Sequence, residues 1–265
     1  MIGKKMSYQT LQLGDRGEVA TITLNRPEKR NAISPQMIEE LLAVLQEIES
    51  SAARAAIVTG AGKAFCAGMD LDVLRSLAGQ SLEQHVADSR LVANLLYRIY
   101  SFPKPIIAAV NGAAIAGGCG IATLADFTLS VPDAQFGYTE VKIGFIPAAV
   151  SVFLRRQTGD KIARDLLISG RIIDATEAYR LGLVTELVAA EKLAARAHEF
   201  AGILLAASPT SVTRTKRLLL AYEEAALQTE LEMAIRENAA IKETADFREG
   251  LSAFLEKREP RWSGR

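Results

Sequence analysis

One carboxylate and two glycine-rich turns are the residues here whose types and spacing could do chemistry. The carboxylate is Glu140, in Gly137-Tyr138-Thr139-Glu140, with Val141, Ile143, Phe145 and Ile146 close behind it. An acid among apolar neighbours loses hydration, which disfavours its charged form and lifts its pKa toward the range of a useful general base. The turns are Gly60 to Asp70 and Ala116-Gly117-Gly118-Cys119-Gly120. Glycine lets a ligand approach the main chain, and N–H groups at a helix start have no partner within the helix. Two such donors form an oxyanion hole, in which each donor stabilises a transition state by about 3–4 kcal/mol. Backbone donors plus one carboxylate suit proton transfer next to a carbonyl. Glycines that merely allow close helix–strand packing are the other reading, and spacing alone leaves both open.

These groups need a scaffold. Ile106 to Val110 is an apolar run short enough for a buried strand, and Asn111-Gly112 marks a turn after it. Apolar residues at helical spacing (Ile121, Leu124) follow the second glycine turn, then strands at Phe127 to Val131 and near Gln135 to Gly137. Upstream, Tyr8 to Leu13 and Val19 to Leu24 alternate apolar with polar residues around Gly14-Asp15-Arg16-Gly17, which predicts a hairpin. Ser34-Pro35 starts a helix with an apolar stripe through Ile38, Leu41, Leu42, Leu45 and Ile48. Ala55 to Thr59 is the next strand, so strand–helix–strand implies a right-handed parallel crossover. In a parallel sheet the turns gather at the carboxyl ends of the strands, where ligands bind. Ser81 to Tyr100 reads as a helix, stopped by Pro103 and Pro105. After Pro147 helices are predicted over Val150 to Gln157, Lys161 to Ile168 and Ala175 to Leu181, and a strand over Leu183 to Val188. From Glu191 onward three helical pieces are expected. The chain thus divides into an α/β body, 1–190, and a helical region, 191–265.

Composition removes several function classes. The 265 residues are 49% hydrophobic and 23% charged, an ordinary globular balance. Lys plus Arg equals Asp plus Glu at 31 each, so net charge points to neither nucleic acid nor membrane. No apolar run is long enough for a membrane span, and Met1 to Ser7 lack the apolar segment of a secretory signal. A cytoplasmic protein is expected, with Met6 a second possible start and Met1–Lys5 a dispensable tail. Cys66 and Cys119 make no metal-type spacing and read as buried thiols. His85 and His198 lie in amphipathic helices with no acid or nucleophile beside them and read as solvated or satisfied, so no metal site is expected. A G-x-S-x-G elbow and a G-x-G-x-x-G fingerprint are absent. Gly60 to Lys63 lacks the spacing and the Ser or Thr of a phosphate loop.

Four segments resemble a known family. Ile107-Ala108-Ala109-Val110-Asn111-Gly112, then Ala116-Gly117-Gly118, then Thr123-Leu124-Ala125-Asp126-Phe127 is similar to the signature of the enoyl-CoA hydratase/isomerase (crotonase) family. Lys63 to Leu71 resembles its other oxyanion segment, Arg26 to Ala32 its first CoA-contacting loop, and Phe247 to Arg258 its C-terminal helix. The resemblance covers nearly the whole chain with the segments in order. It implies an α/β spiral of ββα units whose helical C-terminus serves trimerisation, giving a homotrimer or a dimer of trimers. It implies an acyl-CoA substrate whose thioester oxygen is held by the N–H groups of Met69 and Gly117, with an enolate intermediate and no cofactor apart from the coenzyme A of the substrate. Lys29, Arg30 and Lys63, by loop position, and Lys257, by resemblance, are candidates for the CoA phosphates. Ala32, Ala67, Gly68, Asp70, Leu71 and Gly118 complete the expected substrate-binding set.

The departure from the family pattern is as informative as the match. Hydratases of this family carry two glutamates, one just after the Gly-Gly-Cys turn and one twenty residues later. The second matches Glu140, whereas Gly120 stands at the first. With a single acid/base the simplest chemistry is a proton shuttle that moves a double bond, and hydration requires another acid. Asp70 and Asp72 are near, but an acid opening a helix reads first as a cap, and Asp126 reads as structural. Decarboxylation, C–C bond formation on an acyl-CoA enolate, and acyl-CoA binding without efficient catalysis are the alternatives. The pocket walls are expected around Leu71 to Ser89 and at Ala148-Ala149-Val150-Ser151, a run that is often richer in glycine in the family.

Overall fold

A computed structural model describes residues 8–14, 17–77 and 79–265. The expected Met1–Lys5 tail and the Asp15-Arg16 part of the first turn lie outside the described residues. Strands β1 (Leu11–Leu13) and β2 (Val19–Leu24) pair antiparallel as the alternation predicts, with Ala20, Ile22 and Leu24 turned inward. Helix α1 (Pro35–Ser50) opens where Ser34 accepts a hydrogen bond from the Met37 N–H at 3.2 Å, with Pro35 in the first turn. Its buried stripe covers the sheet, and β3 (Ala55–Gly60) returns parallel to β2.

From here the chain repeats one manoeuvre. β4 (Ala64–Cys66) leaves β3 at a sharp corner, then come α2 (Leu71–Leu77) and α3 (Leu82–Tyr100), the latter opened by a Ser81/Gln84 capping box. β5 (Ile106–Val110) lies beside β3, and β6 (Ala113–Ile115) turns away beside β4. After α4 (Gly117–Thr123), β7 (Phe127–Ser130) joins β5 and β8 (Gln135–Gly137) joins β6. Each unit therefore sends its first strand to one sheet and its second to another. The large sheet has the order β1-β2-β3-β5-β7 and ends on a later strand, β10; the small one runs β4-β6-β8 and ends on β9. Asn111 holds the corner: its Oδ1 accepts from Gly60 N at 3.1 Å and its Nδ2 donates to Gly62 O at 3.0 Å.

The remainder is α5 (Ala148–Thr158), α6 (Asp160–Ser169), β9 (Ile172–Asp174), α7 (Ala175–Arg180), β10 (Glu186–Leu187), α8 (Leu193–Leu205), α9 (Pro209–Ala221), α10 (Glu224–Ile241) and α11 (Ala245–Glu256). β4 lies inside the Gly60 to Asp70 turn and β6 and β9 fall where no strand is predicted, while the strand expected over Leu183 to Val188 shortens to β10, which pairs with β7. The C-terminal region holds four helices among the described residues rather than three. The extra break falls at Tyr222–Glu223, with neither Gly nor Pro, because α10 must change direction to bury Leu227, Leu231 and Ile235 against α3 and α5, while α9 buries no residue. Leu193, Ala197 and Ala201 dock α8 onto β3, β5 and β7.

One large core fills the spiral. A second, smaller cluster joins Leu74 and Leu77 of α2 to Phe247 and Leu251 of α11, with Met69, Ile143, Phe145 and Leu255 around them. Cys66 and Cys119 are buried free thiols as expected, each pushed up to about 12 by burial. His85 is neither solvated nor fully satisfied: it is 2% exposed, its Nδ1 has no partner, and its Nε2 lies 3.4 Å from the Glu243 carboxylate. Helix α10 closes over it from the C-terminal half, which its amphipathic pattern does not disclose. Among the described residues no helix is long and apolar enough to cross a membrane, and no metal-holding group of three side chains gathers.

Candidate active site

The small sheet positions the site. Its three neighbouring parallel strands each end just before a residue singled out from the sequence. β4 ends at Cys66, before Met69; β6 ends at Ile115, before Gly117; β8 ends at Gly137, before Glu140. The glycine-rich turns do not follow β3 and β5 directly, because the short strands β4 and β6 intervene and carry them into the second sheet.

The Met69 turn is pinned by the main chain. Ile33 N donates to Gly68 O at 2.7 Å and Asp70 N donates to Ile33 O at 2.9 Å, forming a single parallel bridge between Ile33 and Met69. In such a bridge the bonds go to the residues on either side of Met69, so its own N–H points away from Ile33. Gly68 has φ +89°, and a Cβ there would come within 3.1 Å of both Ala116 Cβ and Ile115 O. The Met69 turn therefore rests directly on the Gly117 turn.

Ala116 precedes α4 with φ 51° and ψ −127°, a conformation that favours glycine and costs an alanine on the order of 1–3 kcal/mol. It is held there by Ala116 N donating to Gly137 O at 2.7 Å and Ala116 O accepting from Gly120 N at 3.1 Å. Gly117 is the first helical residue, so its N–H has no acceptor within α4. Its neighbour Gly118 is required by contact, since a Cβ would lie 2.7 Å from Cys66 Cβ and closer still to the Cys66 carbonyl oxygen.

Glu140 begins a single turn of 3-10 helix, Glu140–Ile143. It is 9% exposed, and its Oε2 has no hydrogen-bond partner. Burial, partly offset by its own N–H, pushes its pKa up to about 7. The preceding Tyr138 is locked to Thr123 of α4 by a 2.8 Å hydroxyl–hydroxyl bond, and Phe145 N donates to Glu140 O at 3.0 Å. Gly120 faces side chains, not polar groups: a Cβ there would meet Val150 Cγ1 at 2.8 Å and Leu96 Cδ2 at 3.2 Å.

The other sequence-predicted residues divide. Asp70 is 3% exposed, bound to Arg26 at 2.6 Å and accepting from Asp72 N at 2.9 Å. Burial alone would raise its carboxyl, but the Asp72 N–H and Arg26 outweigh it and hold it below the usual range. It acts as a tie between loops. Lys29 pairs with Asp72 at 3.0 Å in an exposed bridge, and Asp72 also takes Arg75. Arg30, in left-handed backbone (φ 52°), and Lys63 are exposed on the loops flanking the Met69 turn. Ala32 is buried, Ala67 N donates to Arg30 O at 3.1 Å, and Leu71 is 43% exposed at the start of α2. Lys257 stands on another element, as the left-handed C-cap of α11. Asp126 is structural as expected, accepting from Ile106 N at 2.7 Å and pairing with Lys216.

Arg26 and Asn31 are the positioning residues that the sequence reading left unassigned. Arg26 Nη1 also donates to Ala32 O at 2.7 Å. Asn31 is fully buried with φ 56°; its Nδ2 donates to Ala61 O and Ala64 O, both at 2.9 Å, and its Oδ1 accepts from Arg26 N at 2.9 Å. Asparagine tolerates left-handed backbone, and that was the available signal in Arg30-Asn31.

Comparison with known proteins bears on the same scaffold. The sequence model of the family described as enoyl-CoA hydratase/isomerase matches residues 14–265. A Thermus thermophilus protein provisionally named an enoyl-CoA hydratase is 43% identical over 249 residues, covering 94% of this chain and 98% of its own length. The crotonyl-CoA hydratase of Syntrophomonas wolfei is 34% identical over 260 residues, covering 96% of this chain and 97% of its own. The crystal structure of an enoyl-CoA hydratase/isomerase from Xanthobacter autotrophicus Py2 superposes with a TM-score of 0.88 at 32% identity, covering 97% of this chain and all of that one.

Proposed function

Since the chain belongs to the enoyl-CoA hydratase/isomerase family, we propose that it moves the double bond of an enoyl-CoA, with Glu140 as the single acid/base and the Met69 and Gly117 N–H groups as oxyanion donors. One observation carries this reading. The Glu140 carboxyl is buried, unpartnered at Oε2 and raised to about 7, while position 120 offers no second carboxylate. A carboxyl with that pKa is about half ionised near neutrality, so it can both take and return a proton.

The steps balance without water. Ionised Glu140 takes a proton from C2 of a 3-enoyl thioester. The C–H electron pair forms the C1–C2 double bond, and negative charge collects on the thioester oxygen beside the two N–H donors. Collapse of this dienolate draws the proton from Glu140 to C4, leaves the double bond between C2 and C3, and restores the carboxylate. Coenzyme A enters as part of the substrate, its phosphates met by Lys29, Arg30, Lys63 and Lys257, and no other cofactor is required. Assembly as a homotrimer or dimer of trimers belongs to the same reading.

The test supplies a 3-enoyl-CoA and a 2-enoyl-CoA separately and follows the conjugated enoyl thioester chromophore. Its growth from the 3-enoyl substrate, falling by roughly 100-fold or more in Glu140→Gln, is expected. Hydration of the 2-enoyl substrate at a rate matching isomerisation, or an active Glu140→Gln protein, would overturn the proposal.

A further inference from the structure

The contacts at Gly120 point to a specificity determinant. We infer that Val150 of α5 and Leu96 of α3 form an apolar wall in the space into which a position-120 carboxylate would extend, and that this wall excludes nucleophilic water and confines the enolate to reprotonation. The inference rests on Glu140 being the acid/base.

Gly120 does not take a backbone conformation that only glycine adopts. It lies in α4, outside the set of positive-φ residues. Main-chain crowding is not the reason either, in contrast to Gly118, whose missing Cβ would strike the Cys66 main chain. At Gly120 the nearest atoms are side-chain methyls: Val150 Cγ1 at 2.8 Å, and Leu96 Cδ2 and Cδ1 at 3.2 and 3.8 Å. All three residues are buried, Val150 at 5% and Leu96 at 2% exposure. Glycine within a helix is unfavourable relative to alanine, so its presence here matches the volume of the residues facing it. Gly120 and Val150 are one coupled pair.

The chemical consequence follows from mass balance. Hydration of a 2-enoyl thioester forms a C3–O bond from water and a C2–H bond, and the second proton of the water must leave to a base. One group has to hold and deprotonate the water while another delivers the C2 proton. Here one carboxyl is present, and the place for the other, with its water, is filled by three apolar methyl groups. Double-bond migration needs neither water nor a second base. The substrate class this wall favours is an acyl-CoA unsaturated beyond C2.

Substitution in pairs tests the inference, because the Cβ of any side chain at position 120 would come within 2.8 Å of Val150 Cγ1, so that one of the two must shift. Gly120→Glu alone is expected to lower the melting temperature and to hydrate a 2-enoyl-CoA no faster than wild type. The double variant G120E/V150G is expected to melt above Gly120→Glu and to gain hydration of a 2-enoyl-CoA by on the order of 100-fold over either single variant. The small-residue cycle reads the coupling without activity: G120A should lower the melting temperature, and G120A/V150A should restore part of that loss. Hydration by G120E equal to that of the double variant, no gain in a folded double variant, or strictly additive melting shifts in the alanine cycle would overturn it. Glu140→Gln in the wild-type background separates the two proposals: if it remains active, the acid/base reading fails whatever the wall variants do.

Discussion

At the scale of single residues, the buried Glu140 carboxyl carries an energetic consequence. Its folded pKa of about 7 stands above the ordinary 4.5 because burial disfavours the charged form. Below the ordinary value both states are protonated and the group costs nothing. As pH rises from 4.5 through about 7 the unfolded chain loses its proton first, and stability falls by roughly 3 kcal/mol, at 1.36 kcal/mol per pKa unit. Glu140→Gln removes that cost, so the variant should melt higher than wild type at pH 8 and near it at pH 4. The same ionisation should govern kcat/KM, which rises about tenfold per pH unit below 7 and then levels. A melting difference independent of pH would mean that the carboxyl is not held in this way. Gly117 and Gly118 offer a second residue-scale contrast. A methyl at Gly117 meets only the end of the Ile33 side chain at 3.1 Å, whereas one at Gly118 meets Cys66 Cβ at 2.7 Å and its main chain. Gly118→Ala should therefore lose about 1–3 kcal/mol of stability through overpacking. Gly117→Ala should fold normally yet lose roughly 100-fold or more in kcat, because the methyl holds the thioester oxygen off the N–H. Full activity in Gly117→Ala would favour the packing reading of these glycines.

At the scale of elements, legibility followed the length of the signal. Helix α1 was readable because Ser34-Pro35 caps a five-residue apolar stripe, and β2 because it alternates over six residues. β4, β6 and β9 have three residues each, too few to show a period, and their pairing comes from neighbours far along the chain. The resemblance singles out residues on loops, but it does not disclose the partners that hold them. Val150 and Leu96 give no local sign that they face Gly120, and Arg26 gives none that it binds Asp70. Gly250 illustrates the point with opposite predictions. From sequence it is a weak residue inside α11, and alanine there should gain about 1 kcal/mol of helix propensity. In the fold its missing Cβ would lie 2.8 Å from Gly144 N and closer still to the Ile143 carbonyl, where neither neighbour is a flexible side chain. Overpacking against main chain outweighs propensity, so Gly250→Ala should lower the urea midpoint. It should also lower kcat, because Ile143 and Gly144 close the turn that begins at Glu140. A raised midpoint would show that α11 shifts freely.

At the scale of the whole molecule, the last helix folds back over the site. α11 lies on α2 and on the Glu140 turn, and the cluster it completes is separate from the main core. Its centre is Phe247, 1% exposed, with its ring 5.5 Å from that of Phe145, whose N–H binds Glu140 O. A satellite cluster of four buried side chains opens at lower free energy than a sheet buried on both faces. Amide exchange in α2 and α11 should thus be faster than in β3 and β5, and a bound enoyl-CoA should slow it. Phe247→Ala removes about 3–5 kcal/mol of local packing, taken from the largest of the four side chains that form the cluster. The variant should lose protection through α11 while β5 keeps its own, and kcat should fall because Phe145 no longer braces the turn that begins at Glu140. If Phe247→Ala instead loosened β5 and α11 equally, the two clusters would be one cooperative unit, and closure over the site would be part of global folding.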